Sequence, residues 1–243
     1  MAGAPGGRRF AAMTRAAVRG VCLLLICVAG APGIAEEPAP VPQSALKLAR
    51  QQLHAALETP ADRERGAQLF TICAACHGAG GGGDVSGWPP EIAGQHRRVL
   101  AKELVDFRTG VRWYDPMERI AGRHVLHTTQ EIADVAAYVS SLTPSAATTP
   151  GNGRWLAQGA SLYGRLCASC HGAQGEGSDA GLVPRVAGQQ FEYLQRQLYD
   201  AIEERRPNMQ GQHQRLLKGL GREDLAGIAD YMARLPRPEN PGQ

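Results

Sequence analysis

The 243-residue sequence predicts an all-α protein built from two tandem units of one design. Three observations predict it. Matched phrases recur after 92–94 residues, apolar residues fall at helical rather than alternating spacing, and a polar Pro/Gly seam separates the two copies. Cys73 and Cys167 are 94 apart, as are Gly94 and Gly188 in Ile92-Ala93-Gly94-Gln95 and Val186-Ala187-Gly188-Gln189. Met117 and Met209 are 92 apart, Tyr138 and Tyr231 93 apart. A 43% apolar content supports packed cores, and the length suits two domains of about 100 residues.

Taken in order, residues 1–35 read as a secretory signal peptide. Arg8, Arg9, Arg15 and Arg19 precede the apolar run Val21–Ala29, and Gly33-Ile34-Ala35 then leads to Glu36-Glu37. The run has about half of the roughly 20 apolar residues that span a bilayer, so cleavage after Ala35 is preferred to a transmembrane anchor. Ile26 stands before Cys27 where a lipoprotein would want a small residue. The mature chain is therefore expected to be exported, without a transmembrane span. Residues 1–35 hold no acid, so the formal +3 falls to 22 basic against 23 acidic residues without them. That balance argues against nucleic acid as a partner.

Residues 36–60 form an N-terminal extension. Leu46, Leu53, Ala56 and Leu57 at helical spacing within Val41–Thr59 predict a short helix, either a linker or a docking element. The first unit is read as residues 61–145, the linker as 146–153 inside the seam Thr143–Gly153, and the second unit as 154–243. Each unit runs from a Cys-bearing helix through a Gly-rich loop, a Pro-containing stretch and a middle helix to a Met loop and a final helix. The middle helices present Val99/Leu100, Leu104 and Phe107, and Phe191, Leu194, Leu198 and Ile202. The final helix of the first unit opens with the capping box Thr128-x-x-Glu131 and carries Ile132, Val135, Ala136 and Val139. Its counterpart carries Leu225, Ile228, Met232 and Leu235.

Cys22 and Cys27 leave with the leader, so four thiols remain, all in Cys73-Ala74-Ala75-Cys76-His77-Gly78 and Cys167-Ala168-Ser169-Cys170-His171-Gly172. Two short disulfides or one four-thiolate zinc site would use the cysteines, but neither needs a His after both pairs. With seven His in 243 residues that coincidence has a chance of about 1 in 1,000. Cys-x-x-Cys-His is the attachment pattern of haem c. Cysteines three apart share a helical face, able to form thioethers with two vinyl groups, while the adjacent imidazole reaches the iron. Two covalently bound haem c groups are expected, on Cys73, Cys76 and His77 and on Cys167, Cys170 and His171.

Met117 and Met209 follow these histidines at 40 and 38 residues, in the loop-like phrases Asp115-Pro116-Met117 and Pro207-Asn208-Met209. Both are expected as the second axial ligands, closing each iron and raising its potential. Met232 lies on a helix stripe and reads as core. His124, His127 and His213 compete as ligands but lack repeat-matched partners, and His54 and His96 read as surface residues.

With these residues the chain resembles the dihaem cytochrome c4 family of class I c-type cytochromes. The resemblance rests on both Cys-x-x-Cys-His-Gly motifs, the repeated Ala-Gly-Gln, Asp106-Phe107-Arg108-Thr109-Gly110 leading to Met117, and Ala136-Ala137-Tyr138-Val139-Ser140-Ser141-Leu142. It covers about residues 61–236. It implies two cytochrome c folds packed face to face, with haems near the interface. It also implies a periplasmic electron carrier, not an enzyme, working with redox proteins of the respiratory chain: a quinol:cytochrome c reductase as donor and a membrane-bound terminal oxidase as acceptor. The alternative is the dihaem electron-accepting subunit of a dehydrogenase complex, such as a sulfide-oxidising flavocytochrome. A dihaem enzyme would need an exposed iron, which two repeat-matched Met residues oppose. Gly80–Gly83 follows a Cys-His motif rather than a strand, so it is no phosphate loop. Only three Lys and near-neutral units, with nine basic and ten acidic side chains over 61–145 and eleven and ten over 151–243, predict weak electrostatic steering.

Overall fold

Helices carry the fold, and the computed structural model describes them over residues 40–146, 149–209 and 211–237. The signal-peptide reading and residues 147–148 of the linker lie outside the described residues. The elements are α1 Gln43–Glu58, α2 Arg63–His77, α3 Arg97–Thr109, α4 Asp115–Ala121, α5 Thr129–Ser141, α6 Leu156–Leu166, α7 Ala168–His171, α8 Phe191–Ile202, a 3-10 turn Pro207–Met209, α9 Gln212–Leu217 and α10 Arg222–Arg234. Among the described residues the β structure amounts to one isolated bridge, Ser178 with Val183. The all-α expectation holds.

Two apolar cores form around the same pair of crossed helices. In the first unit α2 lies across α5, and in the second α6 lies across α10. A glycine sits at each crossing. A Cβ on Gly66 would come within 2.2 Å of the Asp134 carbonyl oxygen, and one on Gly159 within 1.9 Å of the Gly227 carbonyl oxygen. Backbones can approach that closely only where no Cβ intervenes. Tilted ring pairs flank both crossings, Phe70 with Tyr138 and Tyr163 with Tyr231, each with centroids 5.3 Å apart.

A buried aspartate locks each crossing. Asp134 accepts from the Asp62 backbone N–H at 2.8 Å and from Arg65 Nε at 2.5 Å. Asp230 accepts from the Gly151 and Gly153 backbone N–H groups at 2.9 and 2.7 Å and from Arg234 Nε at 2.8 Å. These bonds satisfy carboxylates that burial would otherwise leave costly. The Thr128/Glu131 capping box is formed, and the α5 stripe Ile132, Val135, Ala136 and Val139 is buried as its spacing predicts.

Four details depart from the sequence reading. The N-terminal extension is no free linker: α1 packs on α3 and α5 and buries Ala49, Gln52 and Ala56 in the first core. The α3 helix faces its core with Ala101 and Val105, flanked by half-buried Leu100 and Leu104, while Val99 and Phe107 are buried outside that cluster, and Ile202 of α8 is 37% exposed. Met117 lies inside a helix, the first turn of α4, because Pro116 suits an N-terminal turn that needs no donor from it. The second Cys motif straddles a break at Cys167 between α6 and α7, where Cys170 N bonds the Cys167 carbonyl at 3.2 Å.

Candidate functional site

Each Cys-x-x-Cys-His motif ends a helix in the same way. Gly78 and Gly172, at φ +77° and +83°, turn the chain out of the helix, and the loops fold back so that Gly83 N bonds the His77 carbonyl at 2.9 Å and Gly177 N the His171 carbonyl at 2.7 Å. The Pro-containing stretch then passes beneath the imidazole. His77 Nδ1 lies 2.8 Å from the Pro90 carbonyl and His171 Nδ1 3.0 Å from the Pro184 carbonyl. A carbonyl accepts only, so each Nδ1 carries the proton and donates, leaving the Nε2 lone pair free for a metal. Burial lowers both imidazole pKa values against the raising effect of these carbonyls, favouring the neutral, ligating form.

The cysteines fit the same chemistry. All four are free thiols, Cys73 and Cys167 half-buried and Cys76 and Cys170 exposed. Burial pushes the Cys73 and Cys167 thiols up to about 11. Among the described residues no group of three or more His, Cys, Asp or Glu side chains is arranged to hold a metal ion. Two thiols beside an Nδ1-anchored imidazole at a helix end suit covalent haem c, in duplicate.

The distal candidates are placed differently in the two units. Met117, half-buried, bonds its backbone N–H to the Tyr114 carbonyl at 2.9 Å. Met209 ends the 3-10 turn and packs against the second core, its N–H bonded to the Arg206 carbonyl at 3.0 Å. Just beyond it, the ring of half-buried His213 stands with its centroid 6.3 Å from that of His171, the planes at 62°. His124 and His127 are exposed, and His54 is exposed beside Glu58. His96 departs from its surface reading: it is half-buried, with Nε2 2.8 Å from the Glu176 carbonyl of the other unit.

Sequence reasoning found the repeated Ala-Gly-Gln but not its role. Gln95 Nε2 donates to the Arg185 carbonyl at 3.0 Å, and Arg185 N donates to Gln95 Oε1 at 2.9 Å. Gln189 Nε2 donates to the Glu91 carbonyl at 2.9 Å, and Glu91 N to Gln190 Oε1 at 2.9 Å. Glu91 and Arg185 directly follow the prolines that anchor His77 and His171. Each unit therefore clasps the other's histidine-anchoring strand, and the repetition of the motif was its visible signal.

A buried polar cluster completes the interface. Glu103 of α3 pairs with Arg112 at 2.6 Å and with Arg206 of the second unit at 3.0 Å. Burial alone would raise the Glu103 carboxyl, but the Arg112 and Arg206 guanidiniums and the Lys102 ammonium hold it well below the usual carboxylate range. Asn208, next to Met209, donates to Asp106 at 2.9 Å and to Glu103 at 3.2 Å, so α3 of the first unit steadies the Met209 turn.

Fold and sites together define a dihaem class I cytochrome c, a helical electron-transfer protein. Residues 63–143 match the family model described as cytochrome c, and residues 155–232 the model described as cytochrome C oxidase, cbb3-type, subunit III. Cytochrome c4 of Azotobacter vinelandii is 31% identical over 191 residues, covering 72% of this chain and 89% of that protein. A thiosulfate dehydrogenase electron acceptor of Stutzerimonas stutzeri is 29% identical, covering 69% and 80%. The reduced cytochrome c4 structure from Pseudomonas stutzeri superposes with a TM-score of 0.63 at 27% identity, over 73% of this chain and all of that one. The chain belongs to the cytochrome c4 family. It carries two covalently bound haem c groups in two cytochrome c domains and transfers electrons.

Proposed function

We propose that this chain is a periplasmic electron carrier, not an enzyme, that relays electrons from a quinol:cytochrome c reductase to a membrane-bound terminal oxidase. Cys73, Cys76, His77 and Met117 serve one haem, and Cys167, Cys170, His171 and Met209 the other. The observation that carries the reading is the duplicated helix end, in which Pro90 and Pro184 fix His77 and His171 with Nε2 free. Haem c supplies reversible one-electron exchange at iron. The polypeptide holds each imidazole in one tautomer and clasps the two sites together through Gln95 and Gln189.

In this reading residues 1–35 are a cleaved signal peptide and residues 36–60 an extension whose helix packs on the first domain. Residues 61–145 and 154–243 are the haem domains and 146–153 the linker. Among the described residues no helix is long and apolar enough to cross a membrane. A second reading, the electron-accepting partner of a dehydrogenase, draws support from the thiosulfate dehydrogenase electron acceptor among the relatives. Mass spectrometry of the exported protein should show two haem additions that survive acid–acetone extraction, after loss of residues 1–35. A single or extractable haem would overturn the site assignment. Co-purification from the membrane fraction separates the partners: an oxidase supports the first reading, a dehydrogenase the second.

A further inference from the structure

The second haem site differs from the first in one respect that the repeat does not predict. His213, at the second position of α9, brings its ring centroid to 6.3 Å from that of His171. Two imidazoles bonded to opposite faces of one metal ion have centroids roughly 6 Å apart, since each metal–nitrogen bond is about 2 Å and each centroid lies about 1 Å behind its nitrogen. A 62° angle between the planes is compatible with this, because two such rings turn freely about their common axis. The proximal ring is fixed on its far side, where His171 Nδ1 bonds the Pro184 carbonyl. A ring nitrogen held by backbone leaves the other to act as a ligand. Gln212, beside it, lies with Nε2 3.7 Å from Cys170 Sγ, which sets the start of α9 against the attachment motif itself. Among the described residues the first unit shows no equivalent: His124 and His127 are exposed, and His127 Nδ1 bonds the Arg123 carbonyl at 3.0 Å within its own loop.

We propose that His213 is an alternative sixth ligand for the second haem iron, taking the position whenever the Met209 thioether leaves it. The inference rests on the haem assignment made above. In the exchange the Met209 sulfur–iron bond breaks and a bond from a neutral His213 nitrogen forms. One lone-pair donor replaces another, and no electron or proton is lost. Because a Met/His pair raises the potential, the imidazole-bound form of this haem is the stronger reductant. The two haems then differ in kind: the first has one distal ligand, the second has two.

The test uses the holoprotein and reads coordination, not activity. Met117→Ala should leave one ferric iron high-spin and one carbon monoxide bound per reduced chain. Met209→Ala should leave its iron low-spin, with a lowered potential and little carbon monoxide taken up. Only Met209→Ala/His213→Ala should open the second haem, raising carbon monoxide from near none to one per chain. If Met209→Ala alone opens its iron as Met117→Ala does, the proposal fails, while two haems per chain by mass would still uphold the assignment beneath it. Should Met209→Ala not accumulate, mild guanidinium is applied to the ferric parent and to His213→Ala. The parent should pass to a low-spin two-imidazole signal and His213→Ala to a high-spin one. Identical spectra from the two would equally overturn the proposal.

Discussion

Gln95 shows what a single side chain contributes to this molecule. Its amide donates to the Arg185 carbonyl at 3.0 Å and accepts from the Arg185 N–H at 2.9 Å, one residue from the Pro184 carbonyl that orients His171. A histidine is held as firmly as the strand that holds it. Gln95 Oε1 also accepts from the His96 N–H at 3.0 Å, so Gln95→Ala should cost about 3 kcal/mol, at about 1 kcal/mol for each lost bond. It should also shift the potential of the second haem more than that of the first. Guanidinium unfolding and spectroelectrochemistry would measure the two effects, and equal shifts at both haems would show that the clasp does not act through Pro184. The Cys and His residues were legible because their spacing is the chemistry. Gln95 was legible only as a repeated letter, because a hydrogen bond between residues 90 apart leaves no local pattern.

At the scale of elements, apolar stripes located α5 and α10, and the structure buries those stripes together with most of the rest of each helix, Ala133, Asp134 and Ala137 in α5 and Ala229, Asp230 and Ala233 in α10. They described α3 less well, because its buried surface serves both its own core and the other unit. The α3 helix meets its own core with Ala101 and Val105, flanked by Leu100 and Leu104, and the other unit with Glu103 and Asp106, so its buried surface is wider than one stripe. Gly66 and Gly159 are the positions on which the crossings depend. Gly66→Ala would drive a methyl group into the Asp134 backbone and push α5 off α2, with an expected cost of about 2 kcal/mol or more. Denaturant midpoints of Gly66→Ala and Gly159→Ala should fall together, because both crossings are equally close. A midpoint left unchanged in either would mean that the helices slide apart freely.

Across the whole molecule, the charged interface joins the halves. Glu103 sits between Arg112 and Arg206, with both guanidinium side chains only 12% exposed. Removing its charge leaves two buried cations without their counterion, which costs far more than an exposed pair. Glu103→Gln should lose about 3 kcal/mol of stability, split the denaturation curve into two transitions, and loosen the Asn208 contact beside Met209. A single transition at the parent midpoint would show that Gln95, Gln189 and Gln190 hold the halves without it.

The sequence by itself determined the helical class, the duplication, the haem attachment motifs and the family likeness. Each of these is written in local spacing: three residues between cysteines, one more to histidine, three or four between buried side chains. Tertiary structure alone decided that α1 belongs to the first core, that Met117 opens a helix, that Gln95 and Gln189 clasp the opposite unit, and that His213 stands beside His171. These depend on how two folded units meet and on where a loop is carried by distant packing. Such contacts are made between residues far apart in the chain, and no period in the sequence encodes them.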